Sequence, residues 1–68
     1  MENWIKIFDA ESPVRAEIVK GVLEAHGIGA VILNKKESAY KIHGYYEVMV
    51  QNENSSNATK IIENEITF

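Results

Sequence analysis

Between Asn34 and Gly44 the chain collects Lys35, Lys36, Tyr40, Lys41 and His43, the densest group of chemically versatile side chains it has. Lysines attract anionic groups, a phenol can be modified, and an imidazole carries protons near neutral pH. Loops held by a rigid scaffold commonly carry binding residues, so this segment is the first candidate for contact with a protein partner or a small ligand. The plain reading beside it is a solvated connection of charged residues. His26 and His43 lie too far apart for a standard metal-ligand spacing, and the chain has no cysteine, so neither a metal nor a thiol site is expected.

Covalent catalysis needs a nucleophile with a base and an orienting acid. Ser12 is accounted for as a helix cap, and Ser38, Ser55 and Ser56 sit in polar connections without a nucleophile-elbow motif. Arg15 is the one arginine, and it falls inside a helix rather than in a glycine-rich phosphate loop. A catalytic site is therefore not expected, and no cofactor is implied.

The elements that must position these residues are legible in the first half. Trp4-Ile5-Lys6-Ile7-Phe8 alternates as a strand, with Ile5 and Ile7 on one face and Trp4, Lys6 and Phe8 on the other. Ser12 caps a helix whose first position suits Pro13, because the missing N–H would have no partner there. Val14, Ile18, Val22 and Ala25, widened by Val19 and Leu23, form the expected apolar stripe. Gly21 costs up to ~1 kcal/mol in mid-helix, so close packing on the sheet is its expected reason. Gly27 ends the helix in a left-handed conformation, and His26 falls in the last turn, where it caps or is exposed.

Ile28 to Leu33 is nearly all apolar and reads as a strand with little water on either face. After the 34–44 connection, Tyr45 to Val50 alternates as a third strand, with Tyr46, Val48 and Val50 opposite Tyr45, Glu47 and Met49. Asn52 to Asn57 supplies cap residues, including two glycosylation-type sequons best read as polar helix-start residues. Ala58, Ile61 and Ile62 mark a short amphipathic helix, and residues 65–68 suggest the stub of a fourth strand.

The order βαββα, with a final strand if the stub forms, is an α+β ferredoxin-like pattern in one domain spanning 1–68. Two helices cover one face of an antiparallel sheet, leaving Trp4, Phe8, Tyr45 and Met49 on the other as a candidate self-association face. RNA-binding modules of this topology stack bases on strand aromatics. Tyr45 to Val50 lacks their basic-glycine-aromatic signature, and Glu47 would repel phosphate.

The run from Ser12 to Ile28, with Pro13, the Ala16-Glu17 pair, Gly21-Val22-Leu23-Glu24 and the Gly27-Ile28 exit, resembles the first helix of the putative prokaryotic signal-transducing protein family. Val48-Met49-Val50, followed by a polar helix start and Ala58, fits as well, so the likeness covers nearly the whole chain. It implies a fold similar to PII-like (GlnB-like) regulators and a part in bacterial signal transduction. It carries no catalytic residues. In PII-like regulators the connection corresponding to 34–44 contacts partners and can hold a modified tyrosine, a place loosely comparable to that of Tyr40.

Seven basic and ten acidic residues give a net charge of −3, and residues 1–36 balance five against five, so the acidic excess lies in the second half. That balance argues against nucleic acid as a partner. No apolar run is long enough to span a membrane, and no signal peptide opens the chain, so a cytoplasmic protein is expected. At 68 residues the core is thin, and self-association is the expected reinforcement. The expected function is a small non-catalytic regulatory or interaction module, homo-oligomeric and engaging a protein or small ligand. The alternative is a metabolite-sensing domain that binds its ligand at a subunit interface.

Overall fold

In the computed structural model, which describes residues 3–34 and 46–68, the elements run β1 (Trp4–Ala10), α1 (Pro13–Ala25), β2 (Ala30–Asn34), β3 (Tyr46–Gln51) and α2 (Ser55–Glu65). A single 3-10 turn, Asn52–Asn54, joins β3 to α2. The fold is α+β: a three-stranded antiparallel sheet in the order β1-β3-β2 with both helices packed on it. The β-α-β-β-α order expected from the sequence is the order observed.

The register sorts the paired strand residues to two faces. Ile5, Val50 and Ala30 lie in one row, and Phe8, Val48 and Ile32 in the next. Val48, Val50 and Ala30 are buried against the helices, so these rows face the core. Trp4 and Gln51, then Lys6, Met49 and Val31, then Asp9, Glu47 and Leu33 form the rows of the opposite face.

The expectation for β1 fails at one point. Its register slips between Lys6 and Phe8, so Ile7 is an extra residue with no partner position on β3. A bulge of this kind reverses the alternation beyond it. Phe8 therefore packs against the core instead of sharing a face with Trp4, and Asp9 takes the outward position. β2 also differs from expectation. It starts at Ala30, lies at the sheet edge among the described residues, and leaves Val31 and Leu33 half-buried on the open side.

At the start of α1 the Ser12 side chain accepts a hydrogen bond from the Arg15 N–H at 3.4 Å, and Pro13 takes the first helical position. Its exit is a complete Schellman motif. Gly27, at φ 81°, donates to the Glu24 carbonyl at 2.9 Å, and Ile28 donates to the Leu23 carbonyl at 3.0 Å. Ile28 and Leu23 both belong to the core cluster, which supplies the apolar contact that accompanies the motif.

Of the expected stripe of α1, Val19 and Leu23 are buried and Val22 is half-buried, while Ala16 completes the buried set and Ala25 is exposed. Val14 and Ile18 are 64% and 46% exposed. Ala16 is fully buried on the core side of the helix, which turns Val14 and Ile18 outward. Gly21 is exposed, and a Cβ built there meets nothing within 4 Å. Close packing does not explain it.

Ala58 carries α2 onto the core, with Ile61 and Ile62 half-buried beside it. Residues 66–68 form no strand among the described residues. Ile66 is extended and packs on the core, and the chain returns so that the Phe68 ring lies 5.9 Å from that of Phe8.

Candidate functional site

The open face is a grid set by three strands. Its apolar side chains are Trp4, Met49, Val31 and Leu33, all half-buried by their neighbours although no described helix covers them. Its charged strip is Lys6, Asp9 and Glu47. The Lys6 ammonium donates to the Asp9 carboxylate at 2.9 Å and lies 3.9 Å from that of Glu47. The hydrogen bond to Asp9 and the Asp9 charge raise the Lys6 pKa above its ordinary 10.5, with Glu47 adding to the effect. Lys6 is thus a cation paired with carboxylates beside an apolar patch.

Size limits what this face can do alone. Strands about 4.8 Å apart with a rise of about 3.4 Å per residue give a plane of roughly 15 by 20 Å, about 300 Å². Even doubled for side-chain relief, that is below the roughly 800 Å² per partner of a standard stable interface. The face fits a transient contact, or one part of a larger surface.

Of the four residues expected on the self-association face, Trp4 and Met49 are there, in adjacent rows of neighbouring strands. Phe8 is not, because the Ile7 bulge turns it inward. Tyr45 lies outside the described residues, as do Lys35, Lys36, Tyr40, Lys41 and His43. The sequence places Lys6 with Trp4 and Glu47 with Met49, as the register does, but Asp9, Val31 and Leu33 were missed as members of the face. The alternation of Val31 and Leu33 was a usable signal, but a nearly continuous apolar run masked it.

Two further features sit at the helix ends. The Nε2 of His26, the C-cap of α1, lies 2.6 Å from a carboxylate oxygen of Glu65 at the end of α2. The residue expected as a cap or an exposed side chain is therefore both a C-cap and a tie between helices. Elsewhere a cleft of about 630 Å³ opens among Phe8, Ser12, Arg15 and Phe68, and the Arg15 guanidinium stands 4.9 Å over the Phe68 ring. Among the described residues no group of three or more His, Asp or Glu side chains could hold a metal ion, and no helix is long and apolar enough to cross a membrane.

Neither the curated proteins nor the solved structures contain a significant match to the chain. A protein-family model does match, over residues 4–66, which takes in every element from β1 to the end of α2. Those 63 positions include the capped helix, its glycine exit and the sheet that carries the open face. The chain belongs to the family described as putative prokaryotic signal transducing protein.

Proposed function

We propose that the protein is a small non-catalytic interaction module in prokaryotic signal transduction, docking a protein partner on the open sheet face. The observation that carries this reading is the juxtaposition of the Trp4, Met49, Val31 and Leu33 patch with the Lys6–Asp9–Glu47 strip. An apolar centre supplies desolvation, and a charged border sets orientation and rejects wrong partners. The family description supports a signalling role. The 34–44 segment, with its lysines, Tyr40 and His43, adjoins β2 and β3 in sequence and is the second candidate for partner contact.

The test is capture of a cellular partner by the immobilised wild-type chain and by Met49→Lys, which places a second cation at the centre of the patch. Loss of one discrete partner with unchanged circular dichroism is the expected result. Equal capture by both proteins removes the face from the reading.

A second reading, a sensor of small metabolites, draws on the cleft among Phe8, Ser12, Arg15 and Phe68, where an aromatic wall and a guanidinium could hold a planar anion. A thermal-shift screen with nucleotides and organic acids separates it from the first, because a ligand bound only by the folded state raises the melting temperature.

A further inference from the structure

The outer edge of β1 has no strand beside it among the described residues, since the sheet order is β1-β3-β2. Such an edge presents unpaired backbone donors and acceptors that another strand can satisfy. Beside it runs a groove of about 620 Å³, walled by Ile5 and Ile7 of β1 and by Ser55, Thr59, Lys60 and Glu63 of α2. Ile5 is 38% exposed there, a large apolar side chain at the margin of a thin core.

We infer that a second copy of this chain docks in that groove, β1 against β1, to give one six-stranded sheet across a twofold axis. The occupant follows from self-complementarity, which an isologous contact requires. In an antiparallel pairing, Lys6 falls opposite the second copy's Asp9, Ile5 opposite its Ala10, and Ile7 opposite its Phe8. Each copy carries the same extra residue at Ile7, so equal numbers of residues separate the matched positions. Lys6 and Ile5 then meet partners from their own faces: Lys6 and Asp9 both point to the open side, Ile5 and Ala10 both to the helix side. The existing Lys6–Asp9 pair, with Glu47 beside it, then faces the same set on the second copy.

The helix wall repeats the pattern. Lys60 and Glu63 lie one turn apart on α2, so a twofold sets each lysine towards the other copy's glutamate. Ser55, Ser56 and Thr59 are small enough to let the two helices approach. Pairing also joins two open faces into one of roughly 600 Å² in plane, twice the single-copy value. Both readings use the β1 register, but the dimer does not depend on what that face binds, so loss of partner capture alone leaves it standing.

The experiment is sedimentation equilibrium on four purified proteins: wild type, Lys60→Glu, the exchange Lys60→Glu with Glu63→Lys, and Met49→Lys. Wild type is expected to associate to a dimer. Lys60→Glu sets like charges together at two symmetry-related places and is expected to weaken dimerisation about tenfold. The exchange restores opposite charges and the wild-type dissociation constant, and Met49→Lys, on the open face, leaves it unchanged. A monomeric wild type overturns the proposal. So does a dimer indifferent to Lys60→Glu but dissociated by Met49→Lys, which assigns the contact to the open face. Failure of the exchange to restore association, with the fold intact by circular dichroism, overturns it as well.

Discussion

Lys6 and Asp9 stand three residues apart in β1, yet the lysine ammonium meets the aspartate carboxylate at 2.9 Å on the same face of the sheet. A regular strand places residues three apart on opposite faces. The Ile7 bulge removes that opposition, and one extra residue thereby decides the chemistry of the whole open surface. It turns Phe8 in to meet Phe68 and turns Asp9 out to hold Lys6.

The Lys6 interaction has a signed pH dependence. Its folded pKa is raised above 10.5, so the stabilisation is fully present below 10.5 and is lost as pH rises through the folded value. Denaturant titrations of wild type and Lys6→Met across the alkaline range are expected to show a stability gap that is constant below about 10.5 and closes above it. A gap that widens with alkalinity contradicts the assignment.

Gly21→Ala is expected to stabilise the protein by about 0.5–1 kcal/mol, because the position is helical, exposed and free of any neighbour a Cβ would strike. A chemical denaturation midpoint that falls would show that the glycine has a packing role.

Gly27→Ala is expected to do the opposite. Its φ of 81° closes the Schellman motif, and a Cβ in that conformation costs about 1–2 kcal/mol. The paired measurements on Gly21 and Gly27 separate two glycines of one helix by backbone geometry alone.

The His26–Glu65 contact joins the ends of the two helices, but both side chains are about half exposed. A double-mutant cycle with His26→Ala and Glu65→Ala is expected to give a coupling below about 1 kcal/mol, in the range of surface pairs. A coupling of several kcal/mol would make this pair a principal tie rather than a minor one.

What the sequence made legible was whatever depends on local chemistry. Ser12, Pro13 and Gly27 each act through the backbone of their own neighbours, and each does what its type predicts. Val48 and Val50 face the core because β3 is a regular central strand. Trp4 to Phe8 alternates just as cleanly, yet the reading fails there because a bulge is imposed by pairing with β3, not by the residues of β1. Val14 and Ile18 are exposed for a similar reason. The rotation of α1 is set by its packing on the sheet, with Ala16 in the core, a tertiary choice that apolar spacing does not encode. Of the residues expected on the open face, Trp4 and Met49 lie there, whereas Lys6 and Asp9 could not be joined without knowing the bulge.

The most direct test of the β1 register is the set of nuclear Overhauser contacts made by the Phe8 ring in solution. The bulged register predicts cross-peaks from Phe8 to the Phe68 ring and to Val48, with none to Met49. Cross-peaks from Phe8 to Met49 and Trp4, with none to Phe68, would place it on the open face and contradict the register on which the docking surface and the paired edge both rest.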